Sequence, residues 1–369
     1  MTLTLVLFTA AKVAFAMAFG MNIAGLLGWV ERKQSAVMQD RIGANRASIL
    51  GFKLLGLFHP LADAIKMLTK EDFVPKGAHR PLHGLAPMIS LGCGLFCLAA
   101  LPYGGIVRTI VPQVPDEHRS AEPMEPVFQE WNLQPIETSV GVPLVLAVLA
   151  LGVHGIVMAG YASGSNYGLL GALRGAAQMI AYEVCLVASL AGVLVVYGTL
   201  DLQAAVAWQI KHGVWGIVVQ PIGFLLFLTA GAAITKRTPF DLPEGESEIV
   251  GYHVEYSGMK FGMFLMTDFI ESIVVCGLIT ALFLGGWSIP FVDLAGMAAA
   301  GGKYSIPAGG LMVAAFSAKV LALLFLLMQI RWTLPRFRFD QLLDLGWKNV
   351  LPLSLLNFLA TVWVVYLWP

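Results

Sequence analysis

The residues best suited to chemistry are ionisable side chains gathered at a few places. From Lys236 the chain reads Lys-Arg-Thr-Pro-Phe-Asp-Leu-Pro-Glu-Gly-Glu-Ser-Glu, and Tyr252, His253 and Glu255 follow shortly after. Asp241, Glu244, Glu246, Glu248 and Glu255 thus share one loop with Lys236, Arg237 and Lys260, and Pro239 and Pro243 restrain the backbone on either side of Asp241. Close carboxylates cannot all ionise cheaply in a sheltered place, so such a loop can hold and release protons near neutrality. The alternative is a solvated acidic loop that docks onto partner proteins, and composition alone favours it. A second group, Glu31-Arg32-Lys33 followed by Arg41, Asn45 and Arg46, ends the first apolar run. Arginines there are ordinary anchors on the cytosolic side, but a glutamate at that edge needs a partner or water. Between these groups, Leu54, Phe58, Leu61, Ile65 and Leu68 form one stripe, and His59, Asp63, Lys66 and Lys70 form the opposite one. That pattern predicts a helix lying in the membrane surface, started by Pro60 and running over about 60–70. By itself the Asp63/Lys66 pair reads as an ordinary solvated helix face. Glu183, Asp268, Glu271 and Lys319 sit inside apolar runs, where a charge costs about 2.5–3.5 kcal/mol. Four such groups on three helices point to a buried proton route, with structural ion bridges as the plainer alternative.

The elements that position these residues follow from composition. The 369 residues are 57% hydrophobic and 12% charged, too few charges to coat a soluble globule. Basic and acidic residues balance, which argues against nucleic acid as a partner. A bilayer core of about 30 Å needs roughly 20 apolar residues per helix. Eight segments meet this requirement: 13–30, 82–103, 140–162, 175–199, 214–235, 259–284, 306–330 and 349–368. The expected fold is therefore an all-α polytopic membrane protein, eight transmembrane helices plus short amphipathic interfacial helices, forming a single integral membrane domain over 1–369. The start of the chain lacks the basic residues of a secretory signal, so the first segment reads as a retained helix. Lys and Arg concentrate in the loops after odd-numbered spans, which makes those loops cytoplasmic and places both termini on the non-cytoplasmic side. The loop over 104–139, rich in Pro and acids, reads as an irregular external lid. The four cysteines lie singly in apolar runs or four apart, giving no support for a metal or iron–sulfur site. No nucleotide loop or nucleophile constellation is visible, so an autonomous enzyme is not expected.

Taken in order, these residues resemble the family of H subunits of NADH-quinone oxidoreductase, the membrane component of respiratory complex I that holds the quinone chamber. The resemblance spans nearly the whole chain. It rests on Glu31-Arg32-Lys33, Pro60-Leu61-Ala62-Asp63-Ala64-Ile65-Lys66, Tyr161-Ala162-Ser163-Gly164-Ser165, Tyr182-Glu183, Arg237-Thr238-Pro239-Phe240-Asp241-Leu242-Pro243-Glu244, Glu255-Tyr256-Ser257-Gly258-Met259, Leu284-Gly285-Gly286-Trp287 and Asp340-Gln341. The resemblance implies a non-autonomous subunit of a translocase, located in a bacterial inner membrane, with no bound cofactor of its own. Its substrate would be a quinone, ubiquinone or menaquinone, arriving from the lipid between span 1, span 6 and the helix near 60–70. NADH, FMN and iron–sulfur clusters would reside in partner subunits. Those partners would be a hydrophilic quinone-reducing subunit, small membrane subunits and antiporter-like subunits. Glu31, Arg32, Arg41, Arg46, Asp63, Arg237, Asp241, Glu244, Glu246, Glu248, Tyr252 and Glu255 then resemble the chamber lining, and Asp63, Lys66, Glu183, Asp268 and Lys319 a route for protons. The chain departs from the family pattern at Gly43-Ala44-Asn45-Arg46-Ala47-Ser48, at the shortened Ile249-Val250-Gly251-Tyr252, at Ala150 and His154, and in carrying the additional Glu271. The rival members of the same fold are the membrane subunits of energy-converting hydrogenases and formate hydrogenlyase; a secondary ion transporter is a rival of another class.

Overall fold

The computed structural model describes residues 2–110, 128–243, 245, 249, 251–300 and 304–367. Its helices are α1 (Thr2–Met38), α2 (His59–Thr69), α3 (Arg80–Ala100), α4 (Gly141–Ala162), α5 (Asn166–Tyr197), α6 (Leu202–His212), α7 (Gly216–Val219), α8 (Pro221–Ile234), α9 (Gly258–Phe283), α10 (Leu294–Ala299), α11 (Ser305–Thr333), α12 (Phe339–Asp344) and α13 (Leu351–Leu367). A π-turn over Leu345–Val350 joins the last two into one apolar rod. Among the described residues seven helices are long and apolar enough to cross a membrane, which makes the protein a mostly helical, polytopic membrane protein.

The segment expected over 214–235 differs. It breaks at Gln220, because Pro221 has no N–H to continue the ladder, and the remaining apolar helix α8 has 14 residues. The break is sealed by side chains of the last helix: Gln220 Nε2 donates to Thr361 Oγ1 at 2.6 Å, and Asn357 Nδ2 donates to Gln220 Oε1 at 2.9 Å. The two flanks of the lid expected to be irregular over 104–139 differ, since Ile106–Ile110 and Phe128–Asn132 pair as antiparallel strands β1 and β2, while 111–127 lie outside the described residues. Trp131 donates its indole N–H to Thr109 across that pair, and Lys12 of α1 reaches the following strand end through Gln134 O at 2.8 Å. The predicted surface helix is present as α2, starting with Pro60 in its first turn.

Around α9 the other elements assemble. Nearly every residue from Thr267 to Phe283 is buried, so this 26-residue helix, about 39 Å long, has almost no lipid-facing side. It contacts α1, α2, α3, α8 and α11. Elsewhere, small residues let helices approach closely, as expected where lipid offers no hydrophobic drive for association. Gly155 of α4 lies so near α3 that a Cβ would stand 3.0 Å from Ser90 N and 3.1 Å from Ala86 O. Such packing leaves α9 as the fixed axis on which charged groups are mounted.

Candidate functional site

Two groups of charges lie against the middle of α9. The outer one forms at a rim where α1, α2, α11 and the loop after α8 converge. Glu31, near the end of α1, accepts from Arg237 Nη1 at 3.0 Å through Oε2 and pairs with Arg331 of α11 at 2.7 Å through Oε1. The Arg237 guanidinium also lies 3.8 Å over the Phe269 ring, so the cation is held by a carboxylate and an aromatic face together. One residue on, Arg32 turns outward to Asp63 of α2 at 2.6 Å. Beside these pairs opens a cavity of ≈ 440 Å³ lined by Glu31, Arg32, Arg41, Asn45, Arg46 and His59, among others. The rim therefore gathers six sequence candidates: Glu31, Arg32, Arg41, Arg46, Asp63 and Arg237.

Deeper in, Lys236 reaches back from the end of α8. Its backbone is left-handed (φ 53), which turns the side chain towards the middle of α9. There its ammonium lies 2.7 Å from Asp268 Oδ1 and 3.2 Å from Glu271 Oε2. Burial alone would push this lysine down, but the two carboxylates outweigh burial and hold it well above its ordinary 10.5. Between rim and interior sits Asp241, which pairs with Arg336 at 2.8 Å. Burial raises its carboxyl above the usual aspartate range, and Arg336 only partly offsets that.

Other candidates stand apart. Glu183 of α5 lines an apolar cavity of ≈ 680 Å³ between α4, α5, α8 and α13, and its Oε1 has no hydrogen-bond partner among the described residues. Lys319 of α11 donates to three backbone carbonyls, Leu284 O at 2.7 Å, Gly286 O at 3.0 Å and Ser288 O at 2.7 Å, with Trp215 at 4.7 Å. It makes no ion pair among the described residues. Lys66 is exposed on α2. Tyr252 is buried edge-on to Phe264, and the Glu255 carbonyl contacts His83 Nε2 at 3.3 Å, fastening this loop to α3. Glu244, Glu246 and Glu248 lie outside the described residues.

Sequence reasoning misses the roles of Lys236, Arg331 and Arg336. In the sequence Lys236 reads as one more loop base, and the two arginines as anchors of the seventh loop. The available signal is balance: buried Asp268 and Glu271 on α9 require a cation, Lys260 of the same helix pairs with Asp72 instead, and the next bases in the chain are Lys236 and Arg237 before that helix.

This geometry is that of a polytopic helical membrane protein with a charge-lined cavity at one end of its bundle, continued inward by buried ion contacts. A profile of the NADH dehydrogenase family matches residues 11–362, and the chain belongs to that family. It is similar to the second of the NADH-quinone oxidoreductase H subunits of Geobacter sulfurreducens, 40% identical over 356 residues, covering 96% of this chain and 95% of that relative. The first of the corresponding H subunits of Geobacter metallireducens is 40% identical over 358 residues, covering 97% and 96%. The NADH-quinone oxidoreductase H subunit of Bdellovibrio bacteriovorus is 38% identical over 370 residues, covering 93% and 92%.

Proposed function

We propose that this chain is the quinone-chamber subunit of a proton-pumping NADH:quinone oxidoreductase in a bacterial inner membrane. The names of its relatives supply the reaction, and their membership of one family over nearly the full length supports carrying it over. In this reading the protein crosses the membrane eight times, with α7 and α8 together forming the fifth crossing and both termini outside the cytoplasm. NADH, FMN and iron–sulfur clusters belong to partner subunits, and antiporter-like subunits pass protons further along the membrane.

The observation that carries this reading is the Glu31 clamp beside the rim cavity. A quinone arriving from lipid meets apolar surface first, and its carbonyl oxygens then need donors. Arg41 and Arg46 in the cavity wall supply them, while Glu31 holds Arg237 and Arg331 at fixed spacing. Reduction by two electrons places negative charge on those oxygens, and preorganised guanidinium groups stabilise it without rearrangement. The protons taken up leave neighbouring groups more anionic, which draws protons along the buried series.

Glu31→Gln keeps the size of the side chain but removes the charge that orients both arginines. The expected outcome is a rise in KM for a quinone analogue of about tenfold or more in the complete complex, equivalent to about 1.4 kcal/mol. A photoreactive quinone should label the rim cavity. Unchanged KM together with labelling confined to other subunits would refute the assignment.

A further inference from the structure

The stretch 47–58 reads Ala-Ser-Ile-Leu-Gly-Phe-Lys-Leu-Leu-Gly-Leu-Phe and lies between Arg46 of the rim and α2. Apart from Lys53 it carries no charge, yet it does not fold inward: Leu50, Phe52, Leu54 and Leu55 are 96%, 73%, 61% and 75% exposed. The backbone holds them there. Ile49 and Phe52 exchange both backbone hydrogen bonds, at 3.1 and 2.9 Å, around Leu50 (φ 49) and Gly51 (φ 88), which makes a tight hairpin tip. Leu54 (φ 38) and Leu55 (φ 55) are left-handed as well, a conformation that leucine adopts only at a cost. None of these leucines is buried, so the chain's own core does not offset that cost.

The base of this finger is fixed at a definite depth. Gly56 (φ 85) lies so near Ala44 that a Cβ there would collide with the Ala44 carbonyl, and the Trp29 indole N–H of α1 donates to Leu55 O at 3.2 Å. Trp29 stands two positions before Glu31 and one turn after the exposed Leu26, where the apolar length of α1 gives way to charge. Tryptophan rings favour that level of a bilayer, between acyl chains and headgroups. Next in the chain comes α2, whose Leu61, Ile65 and Leu68 are also exposed, so finger and helix present apolar surface in succession. Lys53 is exposed and makes no ion pair among the described residues. No acid lies between Arg46 and α2, the Asp63 carboxylate pairs with Arg32, and Asp72 pairs with Lys260. Exposed leucines beside an unpaired ammonium, tied to a tryptophan at the membrane boundary, match acyl chains beside an anionic phosphate.

We propose that 47–58 is a finger inserted into the adjoining membrane leaflet, with Leu50, Phe52, Leu54 and Leu55 among acyl chains and the Lys53 ammonium at the phosphate of an anionic phospholipid. Burial in lipid then offsets the left-handed turns that burial in protein does not. Ala44, against which Gly56 packs, also lines the rim cavity, so the inserted finger holds that opening at the lipid surface whatever ligand enters it.

The test uses the complete complex in nanodiscs of equal parts phosphatidylcholine and phosphatidylglycerol. Phe52→p-benzoylphenylalanine places a photoreactive ring where an exposed ring already stands. Illumination should join it to phospholipid acyl chains, read by mass spectrometry, with phosphatidylglycerol over-represented. Adding Leu50→Asn and Leu55→Asn, which tolerate left-handed backbone but are polar, should cut lipid adducts about threefold or more. Adding Lys53→Gln instead should lower the ratio of phosphatidylglycerol to phosphatidylcholine adducts by about twofold to fivefold. Adducts to a partner polypeptide in place of lipid overturn the insertion, as does the absence of lipid adducts. Yields undiminished by the two asparagines overturn the part of the leucines, and an unchanged ratio in Lys53→Gln overturns the headgroup contact. No quinone turnover is read, so failure of the function proposed above would leave each of these outcomes standing.

Discussion

Lys236 and Lys319 are two lysines held inside the same apolar bundle, and they are satisfied in opposite ways. Lys236 faces two carboxylates, whereas Lys319 faces three backbone carbonyls at the end of α9. Carbonyls cannot accept a proton at any accessible pH, so the arrangement around Lys319 locks the turn at Gly285 and Gly286 and caps the helix. Carboxylates can, so the arrangement around Lys236 can change charge while its cation stays put. A lysine buried in a membrane protein is therefore read from what it touches rather than from its depth.

This contrast can be broken experimentally, most severely at Lys236. Lys236→Met strands two carboxylates, a loss of about 3–5 kcal/mol, which should appear as failed assembly or a sharply lowered melting temperature of the complex. Adding Asp268→Asn should recover part of that loss. The sign of the pH dependence follows from the raised value of Lys236: its contribution is complete below its ordinary 10.5 and declines only as pH rises beyond it. The deficit of Lys236→Met should consequently be equal at about pH 7 and about pH 9 in thermal melts. Lys319→Met should cost less, about 1–3 kcal/mol from carbonyls left unmet, and faster hydrogen exchange in 284–288 would report it. If Lys319→Met instead destroys assembly as thoroughly as Lys236→Met, the proposed difference between the two lysines is wrong. Smallest of all, Asp63→Asn removes a partly exposed partner of Arg32 and should shift stability by about 1 kcal/mol or less.

Much of this protein is readable without coordinates, for identifiable reasons. Long apolar runs reveal α1, α3, α4, α5, α9, α11 and α13 because lipid penalises every interruption. Opposed stripes reveal α2 for the same reason. What escapes is pairing across distance. Lys236 precedes its carboxylate partners by more than 30 positions and reaches them through a left-handed residue that no spacing rule predicts. Arg331 arrives at Glu31 from the other end of the chain, so the clamp exists only after folding. The β1/β2 pairing is hidden because the intervening stretch, rich in Pro and acids, dominates the character of that loop. The break in the fifth segment escapes notice because hydropathy does not weigh the N–H that Pro221 lacks.

The clip at Gln220 has a consequence for how the bundle is built. Its two bonds come from Asn357 and Thr361, 137 and 141 positions after Gln220, so the notch ahead of α8 stays unsealed until those residues have been made. Chains cut short before Asn357 would leave that amide facing hydrocarbon with nothing to bind. The seam between the fifth apolar segment and α13 thus closes only once both have been synthesised, and a product truncated before Asn357 leaves it open.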